Sequence, residues 1–352
     1  MSATDTGVDT GTQVRTSPAA PARAVRLRRL LLGRDAAVFA VLAVVWLVGS
    51  AAVENFNTPS TVYYLLLDIF PILLIALPMT MVIITSEIDL SVGSMVGLSS
   101  VVVGVLFDRG VPVGVAALVA LVVGVVGGAL NGFLVTVVGL PSLAVTIGTL
   151  ALFRGIAVGL LGTTAITGFP QGAKDLVSDR LLGPGTALPG VVLLFVVLAV
   201  VFVVLLHFTP AGRATYAIGL NDEAAHFSGI DVGRVKFWLL VATGAVSSLA
   251  GIYWTLRYDS ARGDNAMGLE LSVVAAVLVG GVSIFGGRGA LPGVVAGALV
   301  IGALRSALRL ADVSSDVINV ATGLLLVITV IVPSVLAALR RIWQRRSATS
   351  AA

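Results

Sequence analysis

Cysteine is absent from all 352 residues, which excludes disulfides and thiolate metal ligands. Histidine is nearly absent: His207 and His226 are too few and too far apart in sequence to build a metal cluster. Lysine is scarcer still relative to arginine, two residues against twenty, and charge of either sign is rare. Charged residues make up 11% of the chain, against about 25% in soluble globular domains. No Gly-x-x-x-x-Gly-Lys-Ser/Thr occurs; "GGRGALPG" at 286–293 lacks the lysine, so no such nucleotide site is expected. Nor do the residues offer a nucleophile with its base, so catalysis has little to work with and neither metal nor cofactor is expected.

What fills the chain is apolar: 57% of residues are hydrophobic. Asp, Glu, Lys and Arg are missing from 36–53, 69–86, 90–107, 110–153, 181–212, 237–256 and 317–339. A helix needs about 20 apolar residues to cross a hydrocarbon core. Several of these runs suffice alone, and 110–153 is long enough for two, divided at Gly139-Leu140-Pro141-Ser142 by its proline. The pattern predicts an all-α polytopic membrane protein. It has ten apolar segments, at about 36–53, 63–86, 90–107, 113–138, 142–161, 188–208, 236–256, 271–285, 290–308 and 317–339. The segments at 271–285 and 290–308 are short and glycine-interrupted, which suggests broken or re-entrant helices beside a cavity.

The net charge of +4 is concentrated at the ends. Arg23, Arg26, Arg28, Arg29 and Arg34 precede the first run, and Arg340, Arg341, Arg345 and Arg346 follow the last. That is the positive-inside pattern of two cytoplasmic ends rather than a nucleic-acid surface. It divides the chain into a basic N-terminus (1–34), a membrane domain (35–340) and a basic tail (341–352). The first 22 residues are polar and small, expected to be disordered, and carry no secretory signal. Tyr63, Tyr64, Trp254, Tyr258 and Trp343 read as interface anchors among the lipids.

Two carboxylates interrupt the apolar pattern at "ITSEIDLSVGS" (84–94). Asp89 or Ser91 could cap the next helix, the pair could line a translocation path, or the acids could couple to a cation. "LELSVV" at 269–274 echoes this stretch, with Glu270 and Ser272 in the corresponding places. The copies lie five segments apart, and an odd offset implies an inverted internal repeat. Asn131, among Gly127, Gly128 and Gly132, is placed either to bond between helices or to line a path. Arg154 is expected to snorkel to an interface or to touch a solute. Arg305 and Arg309 are placed near Asp312 and Asp316 as ion-pair partners.

Residues 209–236, "TPAGRATYAIGLNDEAAHFSGIDVGRVK", are the polar exception between apolar runs. Asn221 or Asp222 can cap a helix, Glu223-Ala224-Ala225 favours it, and Gly229 offers a left-handed stop. The segment is either an ordinary surface helix or one that passes a push from a soluble partner into the membrane.

Gly219, Asn221, Ala224, Ala225, Ser228, Gly229 and Ile230 resemble the Gly-x-Asn-x-x-Ala-Ala-x-x-Ser-Gly-Ile coupling segment of bacterial carbohydrate ABC-transporter permeases of the ribose type. Ile88 through Gly93 resemble that family's Gly-Ile-Asp-Leu-Ser-Val-Gly element, with Glu87 where glycine is usual. "GGVSIFGGRG" and "GALNG" resemble two further elements, and "ALPMTMVII" with "IDLSVGS" is most similar to the rhamnose and autoinducer-2 branch. The resemblance covers about 75–330. It implies a type II importer-like permease in a bacterial inner membrane that translocates a monosaccharide. Its implied partners are a cytoplasmic ABC ATPase, an extracytoplasmic sugar-binding protein and a second permease copy or paralogue. It also implies that ATP is used only by the ATPase. An ion-coupled carrier of a small polar solute is the alternative.

Overall fold

The computed structural model describes residues 34–183, 185–329 and 331. The basic tails at 1–33 and 341–352, and the end of the last apolar segment, lie outside the described residues. Helix α1 (Arg34–Ala52) leads into α2 (Pro59–Ile84), α3 (Val92–Asp108), α4 (Val113–Thr136) and α5 (Ser142–Leu161). After strand β1 (Ile166–Thr167) come α6 (Gln171–Ser178), α7 (Val192–Phe208), α8 (Pro210–Leu220), α9 (Asp222–Phe227) and α10 (Val232–Tyr258). Strand β2 (Ser260–Ala261) precedes α11 (Leu269–Val279) and α12 (Leu291–Leu310), and α13 (Ser315–Thr329) follows. Among these, α2, α4, α5, α10 and α12 are long and apolar enough to cross a membrane; a sixth span results if α7 and α8, bent by 66°, count together.

Local chemistry places the boundaries. Thr58 accepts from the Thr61 N–H at 3.2 Å and Pro59 opens α2, so the first orphan N–H groups are capped or missing. Pro71 and Pro78 sit inside α2, and the helix nevertheless continues because it is surrounded by protein nearly throughout. Helix α2 is the hub, packed against α7, α10, α11 and α12. Helix α10 lies along α4, where a Cβ on Gly128 would come within 2.5 Å of the Leu240 carbonyl. Without lipid-excluded water to drive association, that close backbone approach supplies the packing.

The apolar segment at 271–285 becomes helix only as α11, which ends at Gly280. Its 11 residues span about 16 Å at 1.5 Å each, too short to cross. Residues 259–268 complete the descent as turns and as β2, which pairs antiparallel with β1 (Ile166 opposite Ala261, Thr167 opposite Ser260). Helices α3 and α11 run in opposite directions. Gly104 near the end of α3 rests on Ala261, while the loop after α11 reaches Ile84 through the Gly287 N–H at 2.9 Å.

The bundle thus has two distinct ends. At one, the 85–91 break, α8, α9 and the 280–290 loop meet. At the other, α6 and the β1–β2 ribbon cover the helix ends, with the Tyr63 hydroxyl donating to the Ser178 carbonyl. Asp259, in a left-handed conformation at φ 48°, accepts there from the Phe169 N–H (2.8 Å) and from Lys174 Nζ (3.2 Å). Burial pushes the Asp259 carboxyl up, but these hydrogen bonds outweigh it and hold the group below the usual carboxylate range.

Candidate functional site

The polar segment folds as two short helices sharing one residue. Thr209 Oγ1 accepts from the Gly212 N–H to start α8, and Asn221 ends it. Asn221 then starts α9 by accepting from the Ala224 N–H through Oδ1 at 2.7 Å. Asp222 and Glu223 occupy the first turn, where the helix dipole favours acids. Ser228 closes the helix by donating to the Ala224 carbonyl at 2.8 Å, and Gly229 turns away at φ +83°. Of the residues matched to the coupling element, Ala225 is buried, Gly219 and Ile230 are half-buried, and Asn221, Ala224, Ser228 and Gly229 are exposed, as is Glu223 beside them.

Gly219 fits where no side chain could: a Cβ there would lie 1.7 Å from the Ile84 carbonyl oxygen. Helix α8 is therefore pressed onto the end of α2. Around this contact Leu220 (71% exposed), Phe227 (81%) and Phe285 (80%) project outward, and exposed Arg288 follows on the same loop. The three apolar side chains, on short capped helices and a loop, form an exposed apolar face at this end of the bundle.

Behind that face lies the residue whose role the sequence left blank. Glu87 Oε1 accepts from Lys236 Nζ at 2.6 Å, and the same ammonium reaches Asp222 Oδ2 at 2.5 Å. Glu87 and Lys236 are 17% and 10% exposed, so neither charge is well solvated. One lysine at the start of α10 thereby ties the first residue of α9 to the break between α2 and α3.

Two residues further on, the network continues inward. Asp89 Oδ1 accepts from the Ser91 N–H (2.9 Å) and hydroxyl (2.6 Å), and Oδ2 accepts from Thr243 Oγ1 (2.6 Å). Asn131 Nδ2 donates to Ser91 Oγ at 2.8 Å. Asp89, Ser91 and Asn131 are all buried. Of the two capping candidates, Asp89 receives a backbone N–H, whereas Ser91, at the N-cap of α3, makes no side-chain cap bond. Its hydroxyl instead relays between Asp89 and Asn131, so Asn131 bonds between helices. The three acceptor contacts on Asp89 join the break to α10, 154 residues away in sequence.

The echoed acid meets the first copy: a Cβ on Gly93 would lie 2.1 Å from Glu270 Oε2. Glu270 stands in the first turn of α11, and Ser272 Oγ accepts from Arg305 Nη2 at 2.8 Å. Arg154 neither snorkels nor faces an open path. Its Nη1 donates to the Gly263 and Asn265 carbonyls, both at 2.7 Å, holding the non-helical descent that α11 is too short to cover. The pairing of Arg305 and Arg309 with Asp312 or Asp316 does not form either. Arg309 Nη1 binds Asp68 at 2.6 Å, and Arg305 Nε reaches Thr322 Oγ1 at 3.3 Å. Helix packing brings those partners closer than chain neighbours whose side chains leave the turn in other directions. Trp254 is half-buried and lines a cavity between α10, α11, α12 and α13.

A bundle of long apolar helices, with a buried polar network at a helix break and short capped helices at one end, is the architecture of a polytopic membrane protein. The comparisons agree. Residues 61–332 match the family described as "Branched-chain amino acid transport system / permease component", and the chain belongs to that family. It is similar to the autoinducer 2 import system permease protein LsrD of Escherichia coli O157:H7, 36% identical over 274 residues covering 76% of this chain and 82% of the relative. The protein of the same name from Yersinia enterocolitica is 34% identical over 270 residues, 75% of this chain and 80% of that one. LsrD of Salmonella typhi is 34% identical over 274 residues, 76% and 81%. No solved structure matches. The chain is thus a multi-pass membrane permease of the ABC import type, as the resemblance implied, and not an enzyme.

Proposed function

We propose that the chain is the pore-forming subunit of a bacterial ATP-driven importer for a small polyhydroxylated solute, of the monosaccharide or autoinducer-2 kind. A cytoplasmic ABC ATPase docks on α9 and on the exposed Leu220, Phe227, Phe285 and Arg288. An extracytoplasmic binding protein delivers solute at the opposite end, and a second permease copy or paralogue completes the pore among the membrane lipids. Both chain ends then lie in the cytoplasm. The ten apolar segments act as spans, with α3 and α11 as corresponding members of an inverted repeat; their opposite directions support that reading. Residues 1–34, 35–340 and 341–352 keep their roles as basic tail, membrane domain and basic tail.

One observation carries the mechanism: α9, whose outer side is exposed, is tied through Asp222, Lys236 and Glu87 to the break where α3 begins. A push on α9 moves Lys236 and Glu87, and with them Asp89, Ser91, Thr243 and Asn131. The charge pair and hydroxyl network transmit position; no proton or electron is transferred. Access then alternates as the ATPases close and open.

The test is uptake into proteoliposomes holding permease, ATPase and binding protein. Glu223→Arg and Ala224→Arg alter only exposed helical positions of α9, so the permease inserts while ATP-driven uptake falls at least tenfold. Unchanged uptake in both variants moves the docking face elsewhere. Sustained uptake by the permease alone, without nucleotide and under a proton or sodium gradient, establishes the ion-coupled alternative instead.

A further inference from the structure

Away from the coupling end a half-buried cation stands out: Arg305, on α12. Its Nη2 donates to Ser272 on α11 and its Nε to Thr322 on α13. Both partners are neutral hydroxyls, and among the described residues no carboxylate pairs with this guanidinium. A cation inside a membrane bundle that lacks a counter-charge is costly and marks a functional position.

Arg305 borders a cavity of about 380 Å³ whose wall also includes Trp254, Ser272, Asn319 and Thr322. A second cavity of about 140 Å³ shares Trp254 and Arg305 and extends toward Tyr258 and the Asp68–Arg309 pair. The two spaces adjoin along Trp254, Leu269 and Arg305. The larger volume falls in the range of small-molecule sites, roughly 300–1,000 Å³.

We propose that this cavity is a solute subsite and that Arg305 selects for a small, neutral, polyhydroxylated ring. The chemistry of the wall argues for that class. The guanidinium offers N–H donors in a fixed fork, suited to a pair of adjacent oxygens. The Asn319 amide both donates and accepts, matching hydroxyls that do the same. Trp254 supplies a flat apolar surface for the C–H face of a ring. No carboxylate lines the larger cavity, so the ammonium of an amino acid would find no counter-charge, although the family's description mentions branched-chain amino acids. The inference rests on the importer reading above and adds the place and class of the solute.

The experiment measures equilibrium binding of tritiated D-ribose and L-rhamnose to the purified full-length permease in nanodiscs. L-Leucine and inorganic phosphate are the competing probes. Saturable binding of at least one sugar is expected, weakened at least tenfold in Arg305→Met. Because Arg305 also braces three helices, Asn319→Asp is the second variant. It sits at an exposed position and puts a carboxylate beside the same cavity, where it competes for the guanidinium. A brace would tolerate it, whereas a sugar subsite loses at least tenfold in affinity. Binding of leucine or phosphate but of neither sugar overturns the proposal, as does sugar binding unchanged in both variants, or binding of none of the four probes. Uptake by the assembled importer separates the two readings. ATP-driven uptake insensitive to both variants removes the subsite and leaves the importer, while sugar binding without ATP-driven uptake supports the subsite and removes the importer.

Discussion

Lys236 Nζ lies 2.6 Å from Glu87 Oε1, joining two residues 149 positions apart, one at the start of α10 and the other at the break after α2. With Asp222 on the other side of the same ammonium, two acids share one base. Removing the base and removing one acid therefore have unequal consequences.

Lys236→Met leaves Glu87 largely buried with no cation, whereas Glu87→Gln leaves Lys236 paired with Asp222. The lysine variant is expected to lower the unfolding midpoint more than the glutamate variant. Together they give a coupling energy on the order of 1–3 kcal/mol in a double-mutant cycle. Thermal unfolding in detergent reads both. Equal single effects with zero coupling would show that the pair carries no energy. Glu87→Gly, the residue usual in the resembling family, is expected to retain uptake only in part, because α9 loses its tie to the break.

Asp89 accepts three hydrogen bonds inside protein, from two hydroxyls and one N–H. Asp89→Asn removes the charge that these donors face, while Thr243 turns its hydrogen to the Leu240 carbonyl at 2.8 Å and accepts from the new amide, so a cost of about 1–2 kcal/mol is expected. Thr243→Val removes one donor while keeping the shape, for about 1–2 kcal/mol. The same pair separates structure from ion coupling. If Asp89 carried a proton, Asp89→Asn alone would abolish the pH dependence of uptake and Thr243→Val would not. A structural role lowers stability in both and leaves the pH profile of uptake intact.

At the opposite end, Asp259 provides a pH test. Its carboxyl is held below its unfolded value, so its contribution to stability is present above about pH 4 and fades as pH falls through the lower folded value. Asp259→Asn keeps the left-handed backbone, which Asn tolerates, but loses the charge facing Lys174. The stability gap between wild type and variant is expected to be constant from pH 8 to about pH 5 and to close at lower pH. A gap that persists into strong acid would locate the effect in the backbone rather than in the charge.

How much of this was legible in the sequence follows from the range of each interaction. Charge-free runs located the helices because burial in lipid is decided residue by residue. The α9 cap was legible because Asn221 and Ala224 are three apart, and so was the stop at Gly229. The division of 209–236 into two helices was not, since Asn221 serves as the end of one and the cap of the next. Lys236 lies 149 positions from Glu87, Thr243 lies 154 from Asp89, Gly263 lies 109 from Arg154 and Asp68 lies 241 from Arg309, distances at which only helix packing decides who meets whom. Proximity in sequence offered Asp312 to Arg309, and packing supplied Asp68 instead. The echo of "IDLSVGS" in "LELSVV" was visible, but the contact between Gly93 and Glu270 was not.

Arg154 offers the sharpest separation of roles. Its guanidinium spends two bonds on the carbonyls of Gly263 and Asn265, which have no helical partners because the descent to α11 is not helical. Arg154→Met strands both acceptors, at a cost of about 1–3 kcal/mol for each buried group. Arg154→Lys keeps the charge but lacks the fork, and so is expected to recover only part of the loss. The natural absence of cysteine makes the check direct. Met267→Cys, at an exposed position on this segment, introduces a single thiol with no background. Its maleimide labelling is expected to speed up several-fold when Arg154→Met is added, and to change little with Arg154→Lys. If all three rates agree, the segment is held by its packing against α3 and α5, and the arginine is dispensable to it.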